Sequence, residues 1–174
     1  MDRSIYNQLL AWKNREGRKP LILNGARQVG KTYVLQQFGK NEYQKLAFFS
    51  LDRNAKAVEV FEKGGSTADM LMALSAISQT DITPNDTLVV LDEIQDCPKA
   101  LEALKFFCED APHIHIIVAG SLLGLSLHSG VSYPVGKVEE LDSENWCESL
   151  TAQFDMSAIQ TVTDFVMDNI PYFL

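Results

Sequence analysis

No lysine or arginine follows Lys137. All 15 basic residues lie at or before that position, together with 15 of the 23 acidic ones, so the first 137 residues are formally neutral. The whole charge of -8 therefore comes from Glu139, Glu140, Asp142, Glu144, Glu148, Asp155, Asp164 and Asp168. A neutral body lacks the basic footprint of a domain that grips nucleic acid through its phosphates, and charge gives such binding no support. Cysteine is scarce as well. Cys97, Cys108 and Cys147 are odd in number and show no CxxC spacing, which argues against a disulfide framework or a thiolate zinc site and fits reduced thiols in the cytoplasm. Long hydrophobic runs are missing: the longest near-apolar stretch, residues 116–127, is broken by Gly and Ser and is too short to cross a bilayer. The first residues carry no basic-then-apolar leader pattern. The expectation is a cytoplasmic protein without membrane contact.

What is present fits one domain with a sizeable core. The 174 residues are 46% hydrophobic and 22% charged, and a chain of this length buries about 70% of its surface. The most informative stretch is Gly25-Ala26-Arg27-Gln28-Val29-Gly30-Lys31-Thr32, between the apolar run Leu21-Ile22-Leu23 and Tyr33-Val34-Leu35. It has the form of a Walker A loop. Its two glycines let backbone N–H groups wrap inward, the lysine supplies a point charge, and the threonine hydroxyl suits a magnesium ion. A triphosphate fits such a cage, at the N-terminus of the following helix. The second strong signal is Leu88-Val89-Val90-Leu91-Asp92-Glu93. A buried run of this kind carries Asp92 to the C-terminal edge of a parallel sheet, where such sheets bind ligands. There Asp92 can hold magnesium, through water, and Glu93 can orient and deprotonate an attacking water.

Periodicity and breakers predict the remaining elements. Ile5, Leu9, Leu10 and Trp12 make a helical stripe, in which Trp12 is a core residue before it is a base-stacking one. A strand is expected at 21–24, a helix at 31–38 ending at Gly39, a strand at 45–51, helices at 55–62, 68–79 and 99–109, and strands at 88–93 and from His113 to Ala119-Gly120-Ser121. Residues 132–138 read as a fifth, edge strand, since Pro134 is tolerated only at an edge. Met70, Leu71, Leu74 and Ile77 are packing residues. His113 and His115, with no third ligand nearby, are strand residues rather than a metal pair.

Taken together, GARQVGKT, LVVLDEIQDCP, ALEALKFF, IIVAGSLLG and SYPVGKVEEL resemble the prokaryotic AAA-type P-loop ATPases, whose ATPase module precedes a large C-terminal domain of unknown function. The resemblance covers residues 3–141 and implies a three-layer α/β fold with a mostly parallel five-stranded sheet of the additional-strand type. It implies ATP and Mg²⁺ as ligands. On it, Gly25, Ala26, Arg27, Gln28, Val29, Gly30, Lys31, Thr32 and Tyr33 form the nucleotide cradle, Thr32 and Asp92 place the metal, and Glu93, Lys31 and Ser121 serve catalysis. Ser121 occupies the sensor position; a helix N-cap is the other reading of the same hydroxyl.

Residues 142–174 depart from the family. They carry no Lys or Arg and do not resemble its continuation, so the expected division is an ATP-binding domain at 1–141 and an acidic helical tail at 142–174. Within the tail, Ser157 and Gln160 fit a capping box, and Ile159, Val162, Phe165, Val166 and Ile170 a helix face. It is a candidate contact for a protein partner or a second copy. Arginine is also short: Arg3, Arg15, Arg18, Arg27 and Arg53 are the full set. An arginine finger adds about 10³ to 10⁵ in rate, and none follows the sensor strand. Arg27 either braces its loop or turns toward a phosphate or a neighbouring subunit. The expectation is ATP binding with slow hydrolysis. A non-hydrolysing nucleotide-binding remnant or interaction module is the alternative, and a small-molecule P-loop kinase is disfavoured by the Asp92-Glu93 pair, which suits a water nucleophile.

Overall fold

The computed structural model describes residues 3–25, 30–120 and 133–142. In chain order the elements are α1 (Arg3–Lys13), β1 (Leu21–Asn24), α2 (Lys31–Glu42), β2 (Lys45–Ser50), α3 (Ala55–Lys63), α4 (Thr67–Ser78), β3 (Thr87–Asp92), α5 (Pro98–Asp110), β4 (His115–Gly120) and β5 (Glu139–Asp142), with a 3₁₀ turn at Ile94–Asp96 between β3 and α5. The strands form one sheet in the order β2-β3-β4-β1-β5, and every pair is parallel. The strand that ends at Gly120 is thus inserted between the two that carry the loop and the carboxylates, as the resemblance implied.

Burial explains why these runs are strands. β1, β3 and β4 are buried along their whole lengths, which requires apolar side chains on both faces. Alternate residues then feed two cores. Ile22, Phe49, Val89, Leu91, Ile116 and Val118 pack with Phe61, Met70, Leu74, Leu104 and Phe107 of α3, α4 and α5. Leu21, Leu23, Leu88, Val90 and Ile117 pack on the other face with Ile5, Leu9, Trp12, Leu35 and Phe38 of α1 and α2. Each such side chain contributes about 1.5–3 kcal/mol on full burial. Helix ends follow the local chemistry: Ser66 and Asp69 close a reciprocal capping box on α4, Asn54 accepts from the Ala57 N–H at α3, and Pro98 opens α5.

Two boundaries differ from expectation. α2 does not stop at Gly39 but runs to Glu42. The glycine serves a close approach instead, since a Cβ there would lie 2.6 Å from Leu46 Cδ1 on β2. The edge strand begins at Glu139, not at 132. From Tyr133 to Val138 the chain turns, with Lys137 N–H donating to the Pro134 carbonyl at 3.0 Å and Gly136 at φ 73°. Pairing begins where Glu139 N–H reaches the Pro20 carbonyl at 2.9 Å. Among the described residues, no helix is long and apolar enough to cross a membrane.

Candidate functional site

Because all five strands are parallel, Ser50, Asp92, Gly120, Asn24 and Asp142 end on one edge of the sheet. The chain leaves β1 through Gly25, whose φ of 158° is extended, and returns at Gly30, which caps α2 in the left-handed region at φ 86°. A side chain at Gly30 would be strained there, which is why the loop needs glycine at that position. Ala26, Arg27, Gln28 and Val29 lie outside the described residues, and so does Ser121.

The next two residues face the site from the first turn of α2. Lys31 is 8% exposed, and its Nζ donates to the Gly25 carbonyl at 2.8 Å. Burial pushes its ammonium below the ordinary lysine range, while the nearby Glu93 and Asp92 carboxylates push it back up. Thr32 Oγ1 donates to Asp92 Oδ2 at 2.6 Å, although the two residues are 60 apart in sequence. Burial raises the Asp92 carboxyl above its ordinary range, opposed by this hydroxyl and by the Glu93 N–H. Tyr33 is 61% exposed, on the outside of the same turn. The structure therefore brings Lys31, Thr32, Asp92 and Glu93 together and leaves Tyr33 at the rim.

Two neighbours are not among the site residues expected from the sequence, although Gln95 lies within LVVLDEIQDCP. Asn24, buried at the end of β1, donates to Glu140 Oε2 at 3.3 Å, and Tyr133 donates to Glu140 Oε1 at 2.7 Å. Gln95, in the 3₁₀ turn, donates to the Glu93 carboxylate. The signal available for both was a carboxamide inside or beside an apolar run, which burial makes costly without a partner.

The histidines sit at the opposite edge. His115 is buried at the start of β4, with Nδ1 2.6 Å from Tyr43 Oη and the Trp12 ring edge-on at 5.9 Å. Burial, assisted by the Arg18 and Lys13 charges, lowers it to about 4. His113 is exposed just before the strand. Trp12 is part of the same core, its indole N–H donating to the Lys19 carbonyl at 2.8 Å.

The family model for the AAA domain matches residues 17–145, a span that holds the loop, both carboxylates and position 121. The chain belongs to the AAA-domain family. Its fold is that of the AAA-type P-loop ATPases, and it is a nucleotide-binding module of the ATPase type. Among solved structures, the Aeropyrum pernix Orc1 protein in complex with DNA matches with a TM-score of 0.51 at 17% identity, over 80% of this chain and 43% of that one. A RuvB variant from Thermotoga maritima gives 0.49 at 21% identity, over 80% and 44%. This AAA-domain chain thus spans less than half the length of either, and at 17% identity the likeness to the Orc1 protein is one of fold. No curated protein matches significantly.

Proposed function

We propose that this AAA-type module binds ATP with magnesium and hydrolyses it slowly. The observation that supports this most is the 2.6 Å contact between Thr32 and Asp92, which joins the loop's hydroxyl to the carboxylate of a distant strand. A hydroxyl and a carboxylate are hard oxygen donors of the kind magnesium takes. Thr32 and Asp92 would hold it, and when bound it neutralises charge on the phosphates.

In this reading the loop from Gly25 to Gly30, with Tyr33 at the rim, cradles the phosphates. Lys31 exchanges its carbonyl partner for a phosphate oxygen. Glu93 accepts a proton from water as the water oxygen bonds to the γ-phosphorus, the bond to the bridging oxygen breaks, and ADP leaves. Ser121 would contact the γ-phosphate or that water. Slowness is proposed for these 174 residues taken by themselves, among which no arginine, the kind of group that stabilises the transition state from the sensor side, lies beyond Arg53. Residues 1–141 form the ATP-binding domain in this proposal, and 142–174 are an acidic segment for a protein partner or a second copy.

Lys31→Ala tests the site. It should weaken ATP binding by about 2–5 kcal/mol, the usual loss when one side of a close charge pair is removed, with unchanged circular dichroism. Undiminished ATP affinity would rule the site out. Single-turnover hydrolysis measured against protein concentration then separates a module that works alone from one completed by a neighbour. A rate that climbs with concentration marks the second.

A further inference from the structure

Glu93 is held in an unusual way. Its backbone is left-handed, at φ 56° and ψ 49°, a region that a residue other than glycine occupies only when its surroundings impose it. Two bonds impose it here. The Glu93 N–H donates to Asp92 Oδ1 at 3.1 Å, and its carbonyl accepts from the Asp96 N–H at 3.0 Å. These hold the main chain but leave the side chain to other partners.

Gln95 holds the side chain. Its Nε2 donates to Glu93 Oε2 and, at 3.3 Å, to Asp96 Oδ2. Both partners are carboxylates, which accept only, so the NH₂ end of the carboxamide must face them. The carbonyl end then points elsewhere: Gln95 is 9% exposed, and its Oε1 is buried with no hydrogen-bond partner among the described residues. What lies against that oxygen is the tip of β4. A Cβ at Gly120 would come within 2.9 Å of Gln95 Oε1 and 2.7 Å of Ile94 Cγ2, so glycine at the strand's end makes room for the carboxamide. A residue needed only to fill this space would be apolar, like the buried Ile94 and Cys97 beside it, because a buried carbonyl without a partner is unfavourable.

We infer that Gln95 is a positioning residue for Glu93: a carboxamide wedged against the tip of β4 that holds one carboxylate oxygen and leaves the other to face the attacking water. The inference rests on the reading of Glu93 as the base. Its geometry also ties the base to the tip of β4, since the carboxamide that holds Glu93 lies against Gly120.

Gln95→Met removes the amide and keeps the length. ATP affinity should stay within about twofold of the parent, because the amide's hydrogen bonds run to Glu93 and Asp96 and not to the phosphate loop. Single-turnover hydrolysis should fall on the order of tenfold to a hundredfold, the loss that a misplaced catalytic group brings. Made in a Glu93→Gln background, the same substitution should cause no further loss, since groups acting as a unit are non-additive. An unchanged rate in the single variant, or an equal loss in both backgrounds, overturns the inference.

A urea-denaturation cycle over positions 93 and 95, run without nucleotide, gives a readout independent of turnover. Coupling between the two substitutions supports the clamp, and additive effects overturn it. If Glu93→Gln hydrolyses as fast as the parent, the base reading is what fails, and the denaturation cycle still decides whether the side chains are linked. Should Gln95→Met lose the fold, Gln95→Asn, which keeps the amide one carbon short, carries the same comparison.

Discussion

The two edges of the sheet each bury an ionisable group, and they do so to opposite ends. At the edge where the strands begin, His115 lies among Tyr43 and Trp12 with a hydroxyl on one ring nitrogen, and burial keeps it neutral. At the edge where they finish, Lys31 and Asp92 are buried among charges of opposite sign. One edge discards charge and packs aromatic rings. The other retains charge, a left-handed glutamate and two carboxamide oxygens, on Asn24 and Gln95, that have no hydrogen-bond partner among the described residues. The same all-parallel sheet supports both, because its strand ends on one side are covered by α1 and the end of α2 while the other side opens at the start of α2.

This contrast can be broken by substitutions whose effects should stay on one side. The largest effect belongs to the open edge: Glu93→Gln should slow single-turnover hydrolysis by about 10² to 10⁴, the usual contribution of a general base, while ATP affinity holds and the urea midpoint moves by no more than the loss of one hydrogen bond to a charged group, about 1.5–3 kcal/mol. A large fall in the midpoint instead would make Glu93 a structural residue. At the closed edge, Gly39→Ala should cost about 1–3 kcal/mol in chemical denaturation through overpacking against Leu46, with nucleotide affinity unchanged. Weaker ATP binding in that variant would mean that the edges communicate.

A further effect concerns pH. The folded chain holds His115 near 4 and the unfolded chain near 6.5, so between those values the unfolded state binds more protons. Stability should be intact above the upper value and fall as pH drops, by up to about 1.4 kcal/mol per pH unit. In His115→Phe the part of this slope between pH 6.5 and about pH 5, above the main carboxylate range, should vanish when denaturation is followed by tryptophan fluorescence.

Much of this was legible in the residues, and the exceptions have physical causes. The strands at 21–24 and 88–93 announced themselves because burial on both faces demands unbroken apolar runs, and the sheet holds them within a residue of those bounds; the strand expected from His113 begins at His115, where burial begins. Gly39 misled because glycine signals both a helix end and a close approach, and only the position of Leu46 decides between them. The edge strand hid in Glu-Glu-Leu-Asp, charged residues that no hydrophobic pattern selects. Its identity comes from backbone pairing with β1 and from Asn24 and Tyr133 on Glu140. At the site, Lys31, Thr32, Asp92 and Glu93 could be named from spacing because phosphate loops and acidic strand ends have fixed grammar. Gln95 could not, since its role depends on a contact with a glycine 25 positions away.

The hydrogen bond from Lys31 to the Gly25 carbonyl has a consequence for selectivity. Together with Thr32 on Asp92 and Gln95 on Glu93, it means that the site's polar groups are hydrogen-bonded to one another. An incoming anion meets a closed circuit rather than an idle cation, so it must offer more than it displaces. On the proposed function, inorganic phosphate competes for the lysine alone, whereas a nucleoside triphosphate arriving with its metal competes for the lysine and the threonine together. In that reading the internal hydrogen bonds set a threshold that favours a ligand able to replace several of them at once over small, abundant anions.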